Sequence, residues 1–204
     1  LMDGGASTDT ANYTAATASI VAALDGTLVG TGEAAGDTYI SVENLYGANV
    51  AGAGDILRGD SGANTMFGFA GNDAIDGRAG IDRLTGGLGA DTLTGGTGND
   101  DFFYYAQNEG GDGITDFSSA AGNDDRFRFQ GSAFGGLAAG ALAANQFQSS
   151  TANVAANANV RFFYETDTRI LRFDQDGSGV AFAPVVIATL QSGATMAISD
   201  FLIF

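Results

Sequence analysis

Cysteine is absent from the 204 residues, which excludes disulfides and thiolate metal sites. Histidine is absent as well, so HExxH zinc chemistry, Ser-His-Asp triads and the commonest general base are all removed. Lysine is missing: all eight basic residues are arginine, against 20 Asp and only 4 Glu, for a net charge of −16. A chain this acidic repels phosphate and makes a poor nucleic-acid binder. Pro184 is the one proline, placed by its missing N–H at a strand start or edge. No apolar run approaches the roughly 20 residues needed to span a bilayer. The residues after Leu1 lack the basic and continuous apolar regions of a signal peptide, so an export address would have to lie elsewhere.

What is present is glycine, 32 residues of it, and aspartate, in a chain that is 45% hydrophobic. That is enough to bury a core in one or two domains. Aspartate without matching glutamate fits short carboxylates held in turns, where they bond local backbone and can ligate a hard cation. From Gly59 to Phe103 the order of these residues repeats every nine positions. The copies are GDSGANTMF (Gly59–Phe67), GFAGNDAID (Gly68–Asp76), GRAGIDRLT (Gly77–Thr85), GGLGADTLT (Gly86–Thr94) and GGTGNDDFF (Gly95–Phe103). Glycine stands first and fourth, Asp or Asn sixth, and a large apolar residue eighth. A phosphate-binding glycine loop is excluded, because glycines recurring at this interval leave no room for the helix such a loop opens.

Copies extend upstream. Gly4–Asn12 is another, with Ser7 fourth, and Leu1-Met2-Asp3 matches the end of one before it. The chain thus opens inside a repeat, and we expect it to be the C-terminal portion of something longer. Tyr13–Asn49 is irregular, with a strand over Ile20–Leu24 entering a turn at Asp25-Gly26 and a second over Asp37–Val42. Val50–Arg58 rejoins the repeat.

Asp37, Asp55, Asp73 and Asp91 are 18 apart in succession, as are Asn64, Asp82 and Asp100. A unit of glycine turn plus short strand reverses direction each time, so two units make one coil. The two series then lie on opposite edges of a solenoid, with layers about 4.8 Å apart. Stacked carboxylates about 5 Å apart repel by roughly 3 kcal/mol at an effective dielectric of 20, which opposes folding unless a cation sits between them. Carboxylates plus inward-turned carbonyls, freed by positive φ at the first- and fourth-position glycines, make an all-oxygen set suited to Ca²⁺ rather than Mg²⁺. Leu57, Met66, Ile75, Leu84, Leu93 and Phe102, the eighth-position residues, are expected to form a thin core, so metal should supply much of the folding free energy. Aspartates serving only as turn residues would not need to stay in phase over several coils.

Beyond Phe103 the composition shifts: 13 of 15 Phe lie at or after residue 100, and five of eight Arg follow residue 120. Arg126–Phe129, Arg161–Tyr164 and Arg169–Phe173 alternate as strands do, and Leu137–Ala144 is read as a short helix. Residues 118–204 are expected to form an antiparallel β unit capping the solenoid. Asp174-Gln175-Asp176-Gly177 resembles the start of an EF-hand loop without the later ligands, which favours a β-turn. Alternation in Phe102–Tyr105 and Phe162–Tyr164 favours core packing of half of each run over a carbohydrate or partner surface.

The nonapeptides resemble the GGxGxDxUx repeats of the RTX (haemolysin-type calcium-binding) proteins, a parallel β-roll family. Asp37–Gly47 is similar to the segment that precedes a repeat block there, and Asp112–Phe117 with Asp124-Asp125-Arg126 to the segment that closes it. The stretch from Gly140 to Leu190 is similar to the C-terminal region of serralysin-type proteases. Asp200–Phe204 resembles the uncleaved type I secretion signal of that family. The resemblance implies an all-β chain: a calcium-binding β-roll over 1–117, irregular at 13–49, and a C-terminal β-rich capping and secretion domain over 118–204. It implies several Ca²⁺ ions held by pairs one coil apart: Asp55 with Asp73, Asp73 with Asp91, and Asp82 with Asp100. Asp91 would pair with Asp112 across a three-residue insertion, and Asp37 with Asp55 across the irregular coil. Asn64 is neutral, so the Asn64–Asp82 site should be weak or empty; Asp60, Asp76 and Asp101 fall outside the slot and should be solvated.

The implied partners are calcium, the bacterial type I secretion machinery through the C-terminus, and self-assembly or a cell-surface polysaccharide. The implied location is extracellular. No catalytic constellation is visible, which points to a structural or binding role; the alternative is the secretion and folding domain of a protease, lipase or polysaccharide-modifying enzyme.

Overall fold

The computed structural model describes residues 1–204. Through the repeat block the chain alternates between two facing β-sheets. Ile56–Arg58, Ala74–Asp76 and Thr92–Thr94 belong to a nine-stranded sheet; Thr65–Ala70, Arg83–Leu88 and Asp101–Tyr104 belong to an eight-stranded one. Pairing is parallel and steps by 18 residues: Leu57 stands beside Ile75 and Ile75 beside Leu93, while Met66 stands beside Leu84 and Leu84 beside Phe102. This is a parallel β-roll, as the spacing requires. Strand alternation turns each eighth-position side chain inward and its two neighbours outward. All six expected core residues are at most 1% exposed.

The irregular N-terminal segment still builds coils. Thr10–Asn12 pairs in parallel with Asn44–Tyr46, and Val21–Ala23 with Ile56–Arg58. The strand expected over Asp37–Val42 shortens to Tyr39–Ile40, which pairs with Met2–Asp3.

Both sheets continue past the repeats. Arg126–Phe129 pairs in parallel with Asp101–Tyr104, and Phe201–Ile203 with Arg126–Phe129. In the other sheet Asp112–Ile114 follows Thr92–Thr94, and Val185–Leu190 follows Asp112–Ile114. Only then does the pairing turn antiparallel, through Ile170–Phe173 and Phe162–Glu165. One core of 33 buried residues runs from Ala11 to Ile203. It is aliphatic in the repeats and aromatic beyond them, where Phe102, Phe127, Phe129, Phe162 and Phe201 stack at centroid distances of 4.5–6.3 Å. Larger side chains fill the wider space between sheets that no longer close every nine residues.

Three expectations are corrected. Leu137–Ala144 is not helical: Gly135, Gly136 and Gly140 all adopt positive φ (70°, 73° and 117°), and Gly140–Ala141 forms a strand against Phe201–Ile203. Phe162–Tyr164 does not alternate, because Phe163 is buried in a second small cluster with Ala155 and Val160. The positive φ of the repeat falls at the fourth position (Gly71, Gly80, Gly89, Gly98) and the second (Phe69, Arg78, Gly87, Gly96), not at the first.

Candidate metal centre

Each sixth-position carboxylate turns back onto the coil before its own. Asp73 Oδ1 accepts the N–H of Asp55 at 2.7 Å, and Asp91 Oδ1 that of Asp73 at 2.7 Å. On the opposite edge Asp82 accepts from Asn64 at 2.7 Å, and Asp100 from Asp82 at 2.8 Å. The two series therefore form two ladders of charge-assisted bonds along opposite edges.

One oxygen of each carboxylate is thereby used. The other, Oδ2 of Asp73, Asp82, Asp91 and Asp100, is buried without a hydrogen-bond partner. It lies over the first glycine of its own repeat, and for Asp73 and Asp82 a backbone carbonyl from the next coil stands beside it. A Cβ on Gly77 would stand 2.5 Å from Asp82 Oδ2 and 2.7 Å from the Gly95 carbonyl oxygen. At Gly68 the same two partners are Asp73 Oδ2 and, at 2.6 Å, the Gly86 carbonyl. The first glycine is thus required by close approach and not by its φ. Two acceptors converge there and no donor reaches the carboxylate oxygen, and a buried anionic oxygen left so is costly. A hard cation satisfies both. Nowhere do three acidic side chains meet, so side-chain carboxylates alone do not assemble a site.

Burial pushes these carboxyls up: Asp73 and Asp82 to about 7, with repulsion from Asp91 and Asp100 respectively adding to it. Asp55, Asp91 and Asp100 are raised for the same first reason, against the lowering effect of the N–H groups they accept.

The family model of the RTX calcium-binding nonapeptide repeat matches residues 51–84 and again 76–108. These positions are RTX calcium-binding repeats. No curated protein matches the chain. Of solved structures, 26 chains match. One is the AlgE6R3 subunit of the Azotobacter vinelandii mannuronan C5-epimerase, determined in solution. It is 26% identical, with 73% of this chain and 77% of that one covered and a TM-score of 0.47. RTX repeats of this kind bind several Ca²⁺ ions, and the unpartnered oxygens above are where the residues of this chain fit them.

The ends of the ladders differ from their middles. Asp112 joins one, its Oδ1 accepting the Asp91 N–H at 3.0 Å, and Tyr104 donates its hydroxyl to Asp112 Oδ2 at 2.9 Å. Burial raises Asp112 to about 8. Asp55 begins the same ladder, with both oxygens occupied by the Ile20 and Ala48 N–H groups. Ile20 holds the rung expected for Asp37. Asp37 lies apart, accepting the Tyr13 hydroxyl at 2.7 Å.

On the other edge Asn64 needs no ion. Its amide donates to the Glu43 carbonyl at 3.1 Å and to Asp60 Oδ1 at 3.3 Å, while its Oδ1 accepts the Asp60 N–H. Asp60 is therefore a partner within the loop, and Asp76 and Asp101 pair with Arg58 (3.3 Å) and Arg128 (3.5 Å) instead of standing in solvent.

Three rungs escaped the spacing argument. Asp125 accepts the Asp100 N–H at 3.1 Å, but 25 residues on, and burial raises it to about 7. Glu43 and Asp9 continue the ladder upstream, Glu43 accepting the Asp9 N–H at 2.9 Å. Asp9 Oδ2 is another buried oxygen without a partner, beside Gly4 and the Ser41 carbonyl. The sixth position of the copy Gly4–Asn12 is the signal that marks it.

Proposed function

We propose that this chain is the calcium-folded region of a secreted extracellular protein, serving a structural, surface or binding role. The observation that carries it is the row of four buried, unpartnered Oδ2 atoms, repeated in register on both edges of the roll. Asp73, Asp82, Asp91 and Asp100 are the ligands proposed for the central ions, with Asp55, Asp112 and Asn64 at rungs already satisfied by hydrogen bonds. Asp37 is proposed to serve the N-terminal coil through Tyr13, away from any ion.

In this reading residues 1–117 are the roll and 118–204 the capping and export unit. Export through a type I system would use the C-terminal residues before folding. Phe201–Ile203 is an interior strand and Asp200 is 1% exposed, so that segment is free to be read only in the unfolded chain. Millimolar external calcium then triggers folding, which separates the two events in space. No helix is long and apolar enough to cross a membrane.

Far-UV circular dichroism tests the reading. Metal-free chain at neutral pH should show little β signal and gain it on titration with Ca²⁺, with several ions bound by calorimetry. An unchanged β spectrum and melting temperature with and without chelator would sink it.

A further inference from the structure

The outer face of the eight-stranded sheet carries six aromatic rings in mutual contact, and the roll does not need them. Tyr46, Phe67, Phe69, Phe103, Tyr105 and Phe204 form a continuous ribbon with centroid distances of 5.4–6.1 Å between neighbours. None is fully buried, and Phe204 is 39% exposed. Phe67 and Tyr105 reach towards each other over Thr85, which they help to bury. In the other sheet the outward row at the same repeat position reads Arg58, Asp76 and Thr94, without a ring. The repeat geometry is the same without rings at this position, so the register of the coils does not by itself call for the ribbon.

Phe69 sharpens the point. It occupies the second position of its repeat with φ 72°, as Arg78 does in the next copy with φ 80°, while Gly87 and Gly96 sit there in later copies with φ 103° and 99°. A bulky side chain in the left-handed region is costly, and glycine would relieve it. Instead the strained backbone sets the Phe69 ring against Phe67 and Tyr46, at the wall of a cleft of about 200 Å³ that Leu88 and Glu109 also line.

Three of the chain's eight arginines gather on this face: Arg83, Arg126 and Arg128 point outward from the strands on either side of Asp101–Tyr104, among Asp101, Asp124 and Glu109, in a protein of net charge −16. The Arg128 guanidinium lies 5.3 Å from the centroid of the Phe103 ring, and Arg83 makes no ion pair. Exposed rings accept the C–H faces of sugars, and a guanidinium matches a carboxylate in two-pronged fashion. We propose that this ribbon binds an acidic polysaccharide, the rings stacking on successive sugars and the arginines pairing with their carboxylates. The roll's own negative charge opposes a polyanion at long range, and the ions it holds reduce that opposition.

The proposal rests on the calcium-folded reading only in that the face must be assembled, so folding in Ca²⁺ is confirmed by circular dichroism before any sugar is added. Calorimetry then compares an oligogalacturonate with a malto-oligosaccharide of equal length, at matched free Ca²⁺ because uronates bind the ion. The acidic oligomer should bind more tightly, less so as salt rises. Phe69→Gly should weaken it roughly three- to tenfold, the loss of one aromatic contact, while the melting temperature stays level or rises. Arg83→Gln should weaken binding and flatten its salt dependence. Equal binding of the neutral sugar, no binding of the acidic one, or unchanged affinity in Phe69→Gly would overturn the proposal. So would sedimentation showing that Phe69→Gly abolishes self-association while sugar binding is absent.

Discussion

The residue that separates rungs with an unpartnered oxygen from rungs satisfied by hydrogen bonds is the sixth of each repeat, and Asn64 shows how little chemistry the distinction takes. Its Oδ1 lies over Gly59 beside the Gly77 carbonyl, where other copies present a bare oxygen, but it accepts the Asp60 N–H, while its –NH₂ donates to the Glu43 carbonyl and Asp60. Asn64→Asp would replace those donors by a carboxylate facing a carbonyl and Asp60. Without metal the repulsion is of order 1–3 kcal/mol, enough to lower the stability of the metal-free chain. With calcium the same change should add one ion to the measured stoichiometry. Titration calorimetry on the variant checks both; an unchanged ion count would mean that the Asn64 rung cannot accommodate calcium. The first glycine of each repeat is equally restricted, since its Cβ would fall on the sixth-position oxygen, beside which the next coil's carbonyl stands at Gly59, Gly68 and Gly77.

At the level of strands and coils, the ladders must end without leaving a charge exposed to apolar surroundings. Tyr104 does this at one end, donating to Asp112 Oδ2 from within the aromatic core. Desolvation, together with the Asp112 charge, raises this tyrosine well above its usual value, so it stays a donor at any physiological pH. Tyr104→Phe keeps the ring stacked on Phe127 and Phe129 but strands a buried oxygen, at a cost of about 1–3 kcal/mol. A fall in the midpoint of chemical unfolding at saturating Ca²⁺ should report it, and no change would mean water replaces the hydroxyl.

Such ends were poorly legible in the sequence, whereas the middle was plain. Strand starts at Ile56, Thr65, Ala74, Arg83, Thr92 and Asp101 follow the glycine phase because every local signal there agrees: turn, ligand and inward residue. Asp125 was hidden by a 25-residue step, since pairing in space tolerates a longer loop that a fixed period does not. Asp37 kept the period by coincidence while Ile20 took the rung, because strand register and not spacing decides which residues stack. Arg126–Phe129 and Ile170–Phe173 were visible from alternation, whereas Val185–Leu190 and Phe201–Ile203 were not, and the parallel attachment of these two to the roll depends on long-range pairing that no local pattern encodes.

For the whole molecule, charge and burial set a dependence on pH that reverses when calcium is bound. In the metal-free fold Asp73, Asp82 and Asp125 are raised to about 7 and Asp112 to about 8, chiefly by burial, against about 3.9 in an unfolded chain. A group whose folded value lies higher binds its proton more tightly in the folded state. Its stabilising contribution is therefore complete below pH 4 and is lost as pH rises through 7 to 8. Metal-free chain should then be more ordered at pH 5.5 than at pH 8, by on the order of 1 kcal/mol for each such group. Calcium needs the same carboxylates ionised, so its affinity should rise over this range, and binding near pH 7 should release protons. Thermal melts by circular dichroism at pH 5.5 and pH 8, in metal-free buffer and in saturating Ca²⁺, separate the two regimes. Both conditions lie above the pI of about 4.1, which keeps the chain soluble. The expected result is a contrast: metal-free chain shows a melting transition at pH 5.5 that is lost towards pH 8, while the calcium-loaded melting temperature rises. Metal-free chain that is more stable at pH 8 than at pH 5.5 would show that the edge carboxylates are ionised in the fold without an ion beside them, and that the ladders do not depend on calcium.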